Sequence, residues 1–295
     1  MICAAEALDE GATSRSTETN TREIRVMAIQ PTQPQGVGGV LDTAFHLYKS
    51  SFSAVWPISL LMALVNVLPL GYLIVAGPSL DPASLGSNPF AIYQNPMTLI
   101  VALTCFVLGT WVLSALLLKQ RAIGADQELS IGGAFQAALP RLLAVVIATI
   151  LMGLAILVGL IALIVPGVIL MVSLFLYMVV LLFDDKGAFD ALAGSHKLIW
   201  GNWWRTCAVL SVLAILMFVV LFALGFVGAL VLPFAGFALK DAYTIAMVIQ
   251  AVTNFALYVF LGPFGSAALI ALYWDLKLRK EGGDLAARVN ALSAA

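Results

Sequence analysis

The stretch from Leu142 to Phe183 constrains this chain more than any other. It reads LLAVVIATILMGLAILVGLIALIVPGVILMVSLFLYMVVLLF, carries no charge, and has polar side-chain groups only at Thr149, Ser173 and Tyr177. As one helix it would measure about 63 Å, twice the roughly 30 Å of a bilayer's hydrocarbon core. The run therefore predicts two membrane crossings folded back on each other. Pro166-Gly167 is the expected turn, because proline has no backbone N–H to give and glycine accepts left-handed dihedrals.

The rest of the chain fits a membrane class. It is 62% hydrophobic and 11% charged, where a soluble domain carries about 25% charged residues. Cys3, Cys105 and Cys207 are scattered and odd in number, which argues against a disulfide framework or a cysteine metal site.

Four further apolar runs predict crossings over 53–76, 97–118, 206–231 and 243–273. With the central hairpin this makes an all-α polytopic protein of six transmembrane helices. Residues 1–37 are polar and lack the apolar segment of a signal peptide; they read as a flexible N-terminal segment. Met27 opens a shorter plausible reading frame, and translation is expected to start there. The membrane domain is expected over 38–275 and a C-terminal tail over 276–295.

Three short amphipathic stretches sit at the ends of these runs. Val40, Leu41, Ala44, Phe45 and Tyr48 share one helical face, as do Ile131, Ala134, Phe135, Ala138, Leu139 and Leu142; the third stretch is GAFDALAGSHKLIWGNWWR. Each is expected as a short helix in the interface. GVLDTAF (39–45), GAFQAAL (133–139) and GAFDALA (187–193) align without gaps, so a triplicated unit of one surface helix and one hairpin is an open reading.

Charge sets the orientation. In the six-crossing scheme every Lys and Arg except Lys240 falls on one side. Cytoplasmic loops carry such an excess, so both termini are expected in the cytoplasm. Trp200, Trp203, Trp204, Tyr273 and Trp274 are expected at headgroup depth as an aromatic belt.

Chemistry-bearing residues are few. No predicted crossing holds an ionisable residue in its interior, which argues against a proton-driven pump. His46 and His196 lack a second ligand at helical spacing, so no metal or cofactor is expected. Phosphate loops, nucleophile elbows and basic-aromatic nucleic-acid signatures are absent from the sequence; no nucleic-acid partner is expected. Asn66, Thr104, Ser114, Ser173, Gln250, Thr253 and Asn254 are the notable polar groups within crossings, and their amides are expected to bridge helices. Small residues along crossing three (Ala144, Ala148, Ala155, Gly159, Ala162) and crossing five (Ser211, Ala214, Gly225, Ala229) read as packing seams.

The sharpest feature is Gly262-Pro263 inside crossing six. Proline withholds the N–H owed to the Val259 carbonyl, and that carbonyl must find a neighbour, water or a ligand. Gln250, Asn254, Val259, Gly262 and Pro263 form the candidate ligand site; a plain proline kink is the competing reading.

Val165-Pro166-Gly167, Ala188, Ala191-Leu192, Ser195, Leu198, Gly201 and Trp203-Trp204, with the closing YWDLKLRKEGGDL (Tyr273 to Leu285), resemble a family of bacterial six-helix inner-membrane proteins. The family is YciC-like and related to the membrane domain attached to some glycerophosphoryl diester phosphodiesterases. The resemblance covers about 38–288. It implies a multi-pass fold in the bacterial inner membrane and no catalytic residues. Three function classes follow: a non-enzymatic protein that organises membrane lipids or a membrane-protein partner, which is the favoured expectation; a small-solute or lipid transporter working at the broken sixth helix; and a membrane enzyme, for which Asp184, Asp185, Asp190 and His196 would have to converge.

Overall fold

The computed structural model describes residues 29–75, 94–238 and 242–293, with side chains for 29–75, 94–226 and 246–282. Residues 1–28, including Met27, and the connection over 76–93 lie outside the described residues, as does Lys240. The chain forms α1 (Val37–Val75), α2 (Pro96–Gly124), α3 (Ile131–Ala138), α4 (Leu142–Ala162), α5 (Ile164–Ser173), α6 (Tyr177–Phe183), α7 (Ala188–Ile199), α8 (Trp203–Ala238) and α9 (Ala242–Ser293). A 3-10 turn, Leu139–Arg141, joins α3 to α4. No strand occurs among the described residues. Among the described residues six stretches are long and apolar enough to cross a membrane: Val37–Val75, Pro96–Gly124, Ile131–Ala162, Ile164–Phe183, Trp203–Phe226 and Ala246–Gly282.

The first amphipathic stretch is not a separate surface helix. Residues 38–52 are the opening turns of α1, which continues unbroken to Val75. The reason lies in the buried stripe: Val40, Ala44, Leu47, Ser51, Val55, Ile58 and Met62 follow each other at intervals of three and four, so the face that starts in the supposed interface helix is the face the crossing continues. The other two stretches are separate helices, α3 and α7. Ser130 caps α3 by accepting from the Gly133 N–H (3.0 Å), and α7 buries Ala191, Ser195 and Ile199 on one side. Of the three aligned segments, the first is thus part of a long helix, the second leads through a 3-10 turn straight into α4, and the third is the helix α7.

The central hairpin turns at Leu163, not at Pro166-Gly167. Leu163 alone is extended (φ −168°, ψ 148°) between α4 and α5. Pro166 falls in the first turn of α5, where a missing N–H costs no helical bond. Positive φ among the described residues occurs at Asp126, Asp185 and Gly201, so Gly167 is not a left-handed turn residue. It is glycine because the helices touch there. A Cβ on Gly167 would meet Leu160 Cδ2 at 2.5 Å, and one on Gly159 would meet Gly167 Cα at 2.9 Å. The returning arm is interrupted between α5 and α6, where Ser195 Oγ donates to the Ser173 carbonyl (2.9 Å) and accepts from the Leu176 N–H (3.2 Å).

The most extensive helix contact is α1 with α9, followed by α1 with α2. These three make a close-packed core. The hairpin joins it chiefly at its base, where every residue of α6 is buried. By contrast α4 and α8 leave apolar side chains outside on several faces: Leu143, Leu154 and Val158 on α4, Ile215, Phe218, Val219 and Phe222 on α8. Ser211, Ala214 and Gly225 are exposed or half-exposed as well, so the small-residue seam expected on crossing five does not close on another helix among the described residues.

Tyr273 and Trp274 are not part of an outward-facing belt. Both are buried; the Trp274 ring lies where a Cβ on Gly124 would stand, 2.4 Å from its Cη2. Of the five residues expected in that belt, Trp200 and Trp204 are the ones exposed. Helix α9 runs past 275 to Ser293 without interruption. Of the N-terminal segment expected to be flexible, the described end is fixed: Gln30 N–H donates to the Gly124 carbonyl (3.2 Å), Ile29 packs on the core, and Gln35 is tied to Arg205, Asp275 and Arg279.

Candidate functional site

The proline break in α9 closes on itself. Gln120, completely buried on α2, donates Nε2–H to the Pro263 carbonyl (2.9 Å) and to Ser51 Oγ of α1 (3.2 Å). Its Oε1 accepts from Ser266 Oγ (2.5 Å), which also lies 3.2 Å from the Gly262 carbonyl. One amide thus bridges the three core helices, and the side-chain donors serve the carbonyls of Gly262 and Pro263 rather than that of Val259. The candidate ligand residues are spread along α9: Gln250 is exposed, Asn254, Val259 and Gly262 are half-buried, and Pro263 is buried. A Cβ on Gly262 would already stand 3.8 Å from Met62 Sδ of α1. None of the five lines the polar or the apolar cavity described below.

Among the described residues Asn66 bonds within its own helix: its Nδ2–H donates to the Met62 carbonyl, four residues back (2.8 Å). The bridging amide is Gln120, which stands just past the crossing expected over 97–118, between Lys119 and Arg121. A signal was present. Leu116, Gln120 and Gly124 recur at four-residue spacing, and all three are buried.

The second polar construction is a charged layer at one end of the core. Asp275 is completely buried. Its Oδ2 accepts from Arg205 Nη2 (2.9 Å) and Arg279 Nε (3.1 Å), and its Oδ1 accepts from the Gln35 backbone N–H (2.7 Å). Both arginines also donate to the Gln35 carbonyl. The layer so pins the N-terminal segment and the start of α8 to α9. Beside it, Asp184 Oδ1 accepts from Tyr273 Oη (2.6 Å) and Lys277 Nζ (2.8 Å), with Lys186 Nζ 3.7 Å from Oδ2. Burial alone would push the Asp184 carboxyl up; the Lys277 and Tyr273 hydrogen bonds and the charges of Lys277 and Lys186 outweigh it and hold the group below the ordinary carboxylate range.

Other cations join the same end. Arg141 pairs with Asp185 (2.6 Å) and donates to the Leu181 carbonyl (3.3 Å). Arg121 lies over the Phe183 ring, 4.5 Å from its centroid, and Lys280 donates to the Lys197 carbonyl. A small polar cavity of about 130 Å³ opens here between Gln30, Arg121, Tyr273, Lys277 and Glu281. Asp184, Asp185, Asp190 and His196 do not converge. Asp184 faces Lys277, Asp185 faces Arg141, Asp190 is exposed, and the His196 ring rests 5.0 Å from that of Trp200.

The larger cavity is apolar, a cleft of about 600 Å³. Ile164, Val165, Val168 and Ile169 of α5 form one wall; Trp200, Trp203 and Trp204 form the other. Gly201, in the left-handed region at φ +99°, makes the corner between α7 and α8 that sets the tryptophans side by side. Trp203 and Trp204 meet edge to face with centroids 4.8 Å apart. The Trp203 Nε1–H is buried and has no hydrogen-bond partner among the described residues.

No family model, curated protein or solved structure matches this chain.

Proposed function

We propose that this is a non-enzymatic integral membrane protein that organises lipids or a membrane-protein partner along the apolar faces its own core leaves open. The observation that carries this reading is the contrast in packing. α1, α2 and α9 pack closely on one another along one face each and leave Leu61, Leu64, Ile100 and Leu103 outside on the other, whereas α8 and the α4–α5 arms present large apolar side chains outward on several faces. Exposed apolar surface of this extent marks contact with membrane or partner. The cations gathered at one end support an orientation with both termini in the cytoplasm, and the resemblance of the closing stretch around Asp275 supports the bacterial inner membrane. Transport through the broken sixth helix has less in its favour, because the donors around Pro263 are already committed to each other. Triplication of a surface-helix and hairpin unit remains a proposal on the alignment of the three segments.

The test is isolation of the full chain in mild detergent, with identification of what stays bound. Retained phospholipid or a stoichiometric membrane protein is the expected outcome. A monomer that sheds all lipid and keeps its stability overturns the reading. Reporters fused at Lys119 and Lys280 are expected on the same side.

A further inference from the structure

We infer that the polar cavity at the charged end of the core binds a phosphate ester that carries a primary ammonium, with Arg121 and Lys277 on the phosphate and Glu281 on the ammonium. This site is independent of the outer apolar faces on which the lipid-organising reading stands.

The three charges line one cavity of about 130 Å³, where α2, α9 and the end of α6 meet. Arg121 differs from the other arginines of this end. Arg141 pairs with Asp185, and Arg205 and Arg279 share Asp275. Arg121 has no carboxylate partner among the described residues; it donates to the Phe183 carbonyl at 3.3 Å and rests over the Phe183 ring. That contact fixes the guanidinium but uses few of its N–H donors. A half-buried cation without a counter-ion is costly, and an anion bound from outside removes the cost.

Lys277 adds a second cation. Its Nζ donates to Asp184 Oδ1 (2.8 Å) and Tyr273 Oη (2.9 Å), which leaves one N–H of the ammonium for a ligand. Asp184 does not cancel the Lys277 charge, because Lys186 lies 3.7 Å from the same carboxylate. Glu281 is exposed and forms no ion pair among the described residues. It stands four residues after Lys277 on α9, a spacing at which carboxylates and lysines commonly meet on a helix. Charges of both signs thus border one space without neutralising each other.

These charges select the ligand. A simple anion would suit Arg121 and Lys277 and be repelled by Glu281, and a simple cation would meet the reverse; a zwitterion suits all three. Phosphate fits the cationic side better than carboxylate does, since a guanidinium fork and a separate ammonium together call for more acceptor oxygens. The cavity is smaller than the roughly 300–1,000 Å³ of drug-sized ligand sites. It is too small for a nucleotide and has room for a phosphate joined to an ammonium by a short carbon bridge. Free phosphoethanolamine and the headgroup of phosphatidylethanolamine share this chemistry.

The experiment uses the full-length protein, delipidated in detergent, and titrates it calorimetrically with phosphoethanolamine, glycerol phosphate and ethanolamine. Phosphoethanolamine is expected to bind one to one, glycerol phosphate more weakly and ethanolamine not at all. R121Q is expected to weaken phosphoethanolamine about tenfold or more, the weight of one hydrogen bond to a charged group. E281Q is expected to bring phosphoethanolamine down to the affinity of glycerol phosphate without weakening glycerol phosphate itself. Because Glu281 is exposed, E281Q carries the test if R121Q does not fold. Native mass spectrometry from vesicles of equal phosphatidylethanolamine and phosphatidylglycerol separates the two sources. Retention of phosphatidylethanolamine over phosphatidylglycerol, lost in E281Q, assigns the site to the lipid headgroup; binding of the free ester without that retention assigns it to the solute. Either supports the site. Absence of both, or binding indifferent to R121Q and E281Q, overturns it, as does glycerol phosphate binding as tightly as phosphoethanolamine in the parent chain. Failure here leaves the lipid-organising reading untouched.

Discussion

The α1–α2–α9 core and the α4, α5 and α8 periphery are both apolar enough to cross a membrane, the periphery more so, yet it is the less apolar core that packs more closely. Along α1 a stripe of seven residues from Val40 to Met62 is buried, while on α8 Ile215, Phe218 and Phe222 face outward. Hydrophobicity decides that both belong in a membrane. It does not decide which helices touch, because lipid tails are as apolar as leucine and provide no drive for one over the other. What separates the regions is the minority of small and polar residues. The core has Ser51, Gln120, Ser266 and Gly124 at its contacts. The periphery uses small residues for contact within its own hairpin, at Gly159 and Gly167, but a Cβ added at Gly153 or Gly225 would meet nothing within 4 Å.

The sharpest way to break this contrast is at Asp275. Replacing it with alanine leaves Arg205 and Arg279 without their shared carboxylate and frees Gln35, so the N-terminal segment and the start of α8 lose their anchor together. Removing one partner of a buried ion pair costs about 3–5 kcal/mol, and D275A is expected toward the lower figure because both arginines keep partial solvent access. Thermal unfolding in detergent measures it. A loss no larger than that of an exposed substitution would show that the charged layer does not bind periphery to core.

Next in size are two changes inside the core, the first with a peripheral control. A Cβ at Gly124 would stand 2.4 Å from Trp274 Cη2 and 3.2 Å from Leu47 Cδ1. Overpacking of this kind costs about 1–3 kcal/mol, so G124A is expected to lower the melting temperature clearly. G153A, in open space on α4, is expected to be neutral or slightly stabilising. Equal effects would mean that the periphery is as tightly packed as the core. Q120L keeps the volume at the three-helix junction and removes its hydrogen bonds. Polar bridges between membrane helices are worth about 1–2 kcal/mol at most, and unfolding is expected to shift by that amount.

How far this was legible in the sequence follows from the same contrast. The six long apolar stretches and the gathering of cations at one end are properties of composition along the chain, and they were readable. The hairpin's position was readable to within a turn of helix, since Pro166-Gly167 stand just after the true turn at Leu163. Their roles were not: glycine served close approach to Leu160, a fact of the facing helix. The Pro263 break was readable, but its satisfaction by Gln120 was not, because a glutamine beside Lys119 and Arg121 looks like surface until the register of α2 is known. The Trp200–Trp204 cluster was visible as interfacial aromatics; that α5 forms the opposite wall of a cleft depends on tertiary placement that no local pattern encodes.

The smallest effect is a pH dependence at the joint between the two regions. Asp184 follows directly after α6, at the base of the hairpin, and bonds to Tyr273 and Lys277 of α9. Its folded pKa lies below the ordinary value, so the bond contributes stability that is complete above the unfolded carboxylate pKa of about 3.9 and is lost as pH falls through the lower folded value. Melting temperature is therefore expected to fall with acidification below about pH 4 more steeply in the parent chain than in D184N, whose amide does not titrate. The loosening should begin at the hairpin's base. Hydrogen exchange in residues 177–183 is expected to rise before that of the buried α1 stripe from Val40 to Met62. If both rise together, the hairpin and the core unfold as one unit, and the division between them is one of exposure only.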